Sequence, residues 1–254
     1  MIRTLAIWFF LAATLARADE NSNRFTADGI KEFTAAYQMW DAAGFAKAAE
    51  LFGQACALAP GSGTNFYWKG VAEFHQLLQS IDSPAGTNRT DVAKQIKKTI
   101  HTLTTAVQLN ERDAESHALL ATVYGISISA SPARALWLGP RVLKHQKEAL
   151  RLCPTNPRVQ YLTGMNQYHG PGLLGGKAEA LQHLLKAEQL FADEAGRPGG
   201  PLDPRWGRST CLTFTGKTYD ALGQPVKAKT YFHKALEVNP QDQLARGELD
   251  KRKK

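Results

Sequence analysis

Seven residues at fixed offsets restrict this 254-residue chain more than any other feature. In the segment 209–242 they are Gly216, Tyr219, Gly223, Ala228, Phe232, Ala235 and Pro240. The small residues at 216 and 228 allow two antiparallel helices to touch. The rings at 219 and 232 fill the space between helices. Gly223 permits the turn that joins them, and Pro240 cannot continue a helix, so it closes the second one. The segment is predicted to fold as an α-hairpin.

The same frame recurs along the chain. Ala48, Phe52, Ala55 and Pro60 keep the spacing of Ala228, Phe232, Ala235 and Pro240. Leu103 and Ala106 precede His117, Leu120, Ala121 and Tyr124, and a weaker copy uses Gly164 with Ala180, Leu184 and Ala187. Matches of this kind at these offsets resemble the tetratricopeptide repeat (TPR), which implies an all-α superhelix of stacked helix pairs. The apolar period of 3.6 residues gives about five pairs. First helices are expected near 29–42, 64–80, 114–128, 157–168 and 206–222, with partners near 45–58, 91–109, 141–152, 176–191 and 225–238. A short capping helix is expected at 241–250. Long connections are expected within pairs at 81–90, 129–140 and 169–175, all on one edge. A Gly- and Pro-rich linker at 192–205 should lie on the opposite edge and be mobile.

A second resemblance covers roughly 110–245. Asn156-Pro157-Arg158, the loop Gly170-Pro171-Gly172-Leu173-Leu174-Gly175-Gly176-Lys177-Ala178, and Leu202-Asp203-Pro204-Arg205-Trp206-Gly207 resemble a bacterial family of exported TPR-like proteins. The resemblance implies architecture and location rather than a reaction, and it assigns no catalytic residue.

The first residues read as an export signal. Arg3 is followed by the uncharged apolar run 5–15 and by Ala16-Arg17-Ala18, a small-x-small cleavage pattern. A run of this length is shorter than the roughly 20 residues of a transmembrane helix. The domain is thus expected to occupy 19–250, in the periplasm or secreted, with no integral membrane segment after cleavage. The formal charge is +8, but Arg3 and Arg17 belong to the signal and the tail 251–254 supplies four of the positive charges. A nearly neutral body argues against nucleic-acid binding, although Lys94, Lys97 and Lys98 cluster on one helix. Three cysteines, Cys56, Cys153 and Cys211, lack CxxC spacing and read as small buried residues, with one disulfide plus a leftover thiol as the alternative.

No motif for chemistry emerges. The seven histidines show no HxxxH or HExxH spacing, and His169 with His183 would need carboxylate or thiolate partners to hold a metal. The loop before Lys177 approaches a P-loop, yet Ala178 replaces the hydroxyl residue and no βαβ pattern surrounds it. No GxSxG or paired carboxylates stand out. The expectation is a scaffold with no cofactor, no metal and no catalytic residue.

Partners of such arrays sit on the concave face lined by first helices. In this frame that face carries Phe33, Tyr37 and Trp40, then Tyr67, Phe74 and His75, then Tyr161, Met165 and Tyr168, and finally Lys217. Aromatic anchors with hydroxyls suit a protein or peptide partner. A one-residue shift of frame would make several of them core residues instead. The alternative function is a small-molecule accessory or an enzyme at the elaborated edge, which a deep closed cavity beneath 129–140 and 169–175 would favour.

Overall fold

The computed structural model describes residues 2–82, 88–170 and 176–252, with side chains from Asp19 onward. Eleven α-helices and one 3-10 turn make up the described residues. They form five antiparallel hairpins: α1 (Ile2–Met39) with α2 (Ala42–Leu58), α3 (Gly63–Asp82) with α4 (Arg89–Leu109), α5 (Ala114–Ala130) with α6 (Ala135–Leu152), α7 (Pro157–His169) with α8 (Lys177–Ala195), and α9 (Arg208–Ala221) with α10 (Pro225–Val238). A last helix, α11 (Gln243–Asp250), caps the stack. Five pairs and a cap are what the repeat frame predicts.

Sequence explains the helix starts. Asp41, Asn88, Asp113, Asn156 and Asp242 each stand at an N-cap and accept backbone N–H groups of the first turn. Second helices bury a narrow stripe with a small–large–small spacing: Ala48, Phe52 and Ala55 in α2, Ala180, Leu184 and Ala187 in α8, Ala228, Phe232 and Ala235 in α10. First helices α3, α5, α7 and α9 are buried around most of their circumference, so they form the inner layer. Threonines inside α9 tolerate this because Thr213, Thr215 and Thr218 return their hydroxyls to the carbonyl four residues back.

The large residue of each stripe needs a gap opposite. A methyl group on Gly216 would lie 2.6 Å from the Phe232 ring, and one on Gly164 would lie 2.7 Å from Leu184. Gly29 faces Phe52 at the same 2.6 Å, so the first hairpin uses Gly29 where the frame alone would point to Ala36. Gly216→Leu is expected to cost about 1–3 kcal/mol by overpacking. Chemical denaturation would measure it, and an unchanged midpoint would mean that α9 and α10 do not pack as described.

Several boundaries differ from expectation. The first helix begins well before residue 29: Ser22 and Thr26 are buried, with the Ser22 hydroxyl donating to the Ala55 carbonyl at 3.1 Å and Thr26 to Asn65 Oδ1 at 2.9 Å. It also ends at Met39, leaving Trp40 with φ 54, a left-handed conformation. Asp41 N donates to Ala36 O beneath it, as Gln224 N does to Tyr219 O beneath Gly223. Trp40 thus holds a turn position that Gly223 fills in the last hairpin. The stretch 129–140 is not a long loop, because the 3-10 turn Pro132–Arg134 leads directly into α6 and Pro140 lies inside that helix. The predicted loops at 81–90 and 169–175 fall partly outside the described residues, Leu173 and Leu174 among them. The linker is held rather than free: Arg205 donates to the carbonyls of Glu194 and Arg197, and Trp206 is buried. Lys251 and Arg252 of the basic tail pair with Glu248 and Asp220. All three cysteines are free, with Cys56 and Cys211 buried.

The largest departure is that the array closes on itself. Tyr37 in α1 bonds Thr210 in α9 at 2.9 Å, Asn239 donates to the Gln38 carbonyl at 3.1 Å, and Gln243 donates to the Met39 carbonyl at 3.2 Å. First and last hairpins therefore touch. In a simple open array each hairpin meets only its neighbours.

Candidate functional site

Closure turns the concave face into an interior. A cavity of about 960 Å³ remains there, walled by the inner helices and by α4 and α6. Its apolar wall includes Leu78, Val92, Ile96, Ile126, Met165 and Phe214. Ser129, Ala130, Arg134 and Gly139 from the α5–α6 junction and His169 and Gly170 from the end of α7 also line it. The cavity thus lies beneath the edge that the sequence marks as elaborated.

One position on its wall departs from the pattern of the other hairpins. Each second helix places a large residue three positions before a buried alanine: Phe52 before Ala55, Leu103 before Ala106, Leu184 before Ala187, Phe232 before Ala235. In α6 the alanine is Ala149, and the residue three before it is Gln146. Gln146 is half-buried, lines the cavity and accepts from Asn166 Nδ2 at 3.3 Å. The third hairpin lacks the apolar knob that the other four insert.

Of the ten residues predicted for the concave face, five line this cavity: Trp40, His75, Tyr161, Met165 and Lys217. The other five pack behind or beside it. Phe33 sits between Tyr37, Phe45, Trp68 and His75 with ring centroids 5.1–5.8 Å apart. Phe74 is fully buried, and Tyr168 is half-buried against His169 and Phe214. Arg158, on α7 before Tyr161, is buried in an ion pair. Phe33, Tyr67 and Phe74 are core residues, the alternative that a shifted frame allows.

Tyr37 takes part in a closed cycle. Gly207 N–H donates to the Tyr37 hydroxyl at 3.1 Å, and Thr210 donates its single hydroxyl proton to the Gly207 carbonyl at 3.1 Å. Tyr37 must then be the donor to Thr210. Burial pushes the Tyr37 phenol up to about 12. A second chain runs deeper. Trp206 Nε1–H donates to the Tyr67 hydroxyl at 3.1 Å, and Tyr67 donates to Glu115. Glu115 also accepts from Arg158 Nε at 2.8 Å and Asn156 Nδ2 at 2.7 Å, and Arg158 reaches on to Glu194 at 2.9 Å. This chain ties the linker into the inner layer, helped by Trp68 donating to the Leu202 carbonyl at 3.1 Å.

The histidines of the cavity are neutral. His75 Nδ1 faces the Val71 carbonyl at 2.8 Å, which can only accept, so that nitrogen carries the proton. Burial lowers the His75 imidazole to about 4. Burial, aided by Lys217 and Lys177, brings His169 to about 4 as well. Among the described residues no group of three His, Cys, Asp or Glu is gathered as a metal set, and no helix is long and apolar enough to cross a membrane.

Sequence reasoning did not find Trp206, Phe214, Arg134 or Gln146 as wall or closure residues. A tryptophan in an otherwise polar Gly-Pro linker was a signal for the first, and the broken three-residue spacing for the last.

Comparison with known proteins agrees with this architecture. No family model matches the chain, and no curated protein matches it in sequence. Solved structures do. A thermophilic TPR protein of Thermus thermophilus superposes with a TM-score of 0.64 at 17% identity, over 89% of this chain and 96% of that one. The HusA haemophore of Porphyromonas gingivalis gives 0.63 at 16% identity, over 78% and 93%. The fold is a TPR-like helical repeat.

Proposed function

We propose that this TPR-like solenoid is a non-enzymatic binding protein that takes an apolar small ligand into the cavity at its centre. The observation that carries this reading is the central cavity, with Gln146 on its wall. Four hairpins fill the space between their helices with Phe or Leu, while the third offers Gln146 to a cavity of about 960 Å³. That volume falls at the upper end of the range of about 300–1,000 Å³ in which small-molecule sites lie. Trp40 supports the reading, since a non-glycine residue held at φ 54 on the cavity wall is the kind of backbone strain that collects at ligand sites.

Thermal-shift and calorimetric titration with a panel of apolar small molecules would test it. Haem belongs in the panel, because one solved protein of this fold is a haemophore; a likeness at that identity speaks to fold alone. A bound ligand at 100 times its Kd should add about 2.7 kcal/mol of stability. Gln146→Phe should restore the knob, keep the helical fold and abolish that shift. Ligand shifts that persist undiminished in Gln146→Phe would place binding elsewhere.

A protein or peptide partner is the second reading. An extended peptide along the inner helices would compete with rings that the chain already packs against itself. The surface that favours a partner is instead the first turn of α6, where Leu136 is 84% and Trp137 55% exposed. Binding that Trp137→Ala reduces and Gln146→Phe leaves intact would select it. Export is also part of the proposal, supported by Arg3, the apolar run 5–15 and Ala16-Arg17-Ala18. Cleavage after Ala18 would leave Ser22 and Thr26 in place, and N-terminal sequencing of the mature protein would check it.

A further inference from the structure

The cavity wall carries charge of mostly one sign. Arg89, Arg134 and Lys217 line it, and the only lining carboxylate among the described residues is that of Asp82 at the end of α3. None of the three cations makes an ion pair with a carboxylate among the described residues. Arg134 bonds a neutral hydroxyl, with Nη1 donating to Ser127 Oγ at 2.9 Å, and its fork meets no carboxylate among the described residues. Lys217 Nζ lies over the Phe214 ring at 5.0 Å, and His169 stands 5.9 Å from the same ring. Two other cations of the chain are paired: Arg252 with Asp220, and Arg158 with Glu115 and Glu194. Arg89 is exposed, Arg134 and Lys217 are half-buried, and Asp82 lies in the field of Lys217, so an acidic ligand group would add counter-charge where the wall supplies little.

Resting on the cavity as the ligand site, we infer that the ligand is an amphipathic anion, with an apolar body against Leu78, Ile96, Ile126 and Met165 and an acidic group held by Lys217 or Arg134. A carboxylate is the acid that suits both a bidentate guanidinium and an ammonium in a partly desolvated wall. Two neutral histidines on the wall leave the recognition of charge to the Arg and Lys side chains.

The test uses three probes with the same chain, each kept below its micelle concentration: dodecanoate, dodecanol and dodecyltrimethylammonium. Dodecanoate should bind tightest and dodecyltrimethylammonium weakest. Lys217→Gln and Arg134→Gln, confirmed folded by circular dichroism, should weaken dodecanoate by about tenfold in at least one variant, as loss of a charge-assisted bond does, and leave dodecanol unchanged. In the wild type, the His169 imidazole followed by NMR should titrate at higher pH with dodecanoate bound, because burial is the main cause of its lowering and an anion beside Lys217 offsets the part that the lysines add. Equal affinity for dodecanoate and dodecanol, unaltered in both variants, would overturn the anion while leaving the cavity as the site. Failure of all three probes to bind, together with undiminished panel binding in Gln146→Phe, would overturn the cavity itself.

Discussion

Arg158→Met is expected to lower stability by about 3–5 kcal/mol, among the largest effects of any single substitution in this chain. The Arg158 side chain is buried, and so is that of Glu115. Removing one partner of a buried pair strands the other charge in a medium that cannot solvate it. Glu115 would keep Asn156 and Tyr67 as donors but lose the cation that balances it, and Glu194 would lose its partner as well. For a domain of this size the change corresponds to a fall in Tm of about 6–20 °C. The double variant Arg158→Met/Glu115→Gln should recover part of the loss, since the stranded charge is then gone. A cycle in which the two changes simply add would mean that the pair does not act as a unit.

Trp206→Ala should cost a similar amount, about 3–5 kcal/mol, but by a different route. The ring is 2% exposed and stacks edge-on to His75 at 5.0 Å, so its removal leaves a hole in the inner layer. Its Nε1–H also goes, leaving the Tyr67 hydroxyl with one donor fewer. Trp206→Phe separates the two contributions, because it keeps most of the ring and loses the hydrogen bond, for about 1 kcal/mol. Scattering should report a larger radius of gyration for Trp206→Ala, as the linker loosens and the ends of the array part. An unchanged radius with a lower Tm would confine the role of the ring to packing.

Much of this molecule was legible in advance. Helix pairing follows from residues that have one mechanical use each: Gly216 and Gly164 for close approach, Phe232 and Phe52 for filling. Such signals are local, and local spacing survives in a single sequence. Closure was not legible, because Tyr37 and Thr210 lie 173 positions apart and nothing in either neighbourhood names the other. Spacing alone left open which of the ten residues are core, and Phe33, Tyr67 and Phe74 are. Trp40 lines the cavity, but its backbone was not legible. Its helical spacing reads as one more groove position, whereas the chain spends it on a left-handed turn where glycine would be expected. Gln146 could have been seen, since Ala149 fixes the register of α6 and a glutamine three residues earlier breaks a rule that four other helices keep.

A ring of hairpins that bites its own tail has a consequence for how the protein can change over time. Open arrays gain or lose a unit at little cost, because each new hairpin needs only one neighbour. Here a sixth hairpin, or the loss of one, would set α1 and α9 at the wrong distance and forfeit the Tyr37–Gly207–Thr210 cycle. The number five is thereby locked in, and with it the cooperativity of the chain. Contacts spanning most of the sequence must form before the ends are secure, so folding should be slower and more nearly all-or-none than in a string of independent units. Hydrogen exchange would then show the terminal helices protected to the same degree as the middle.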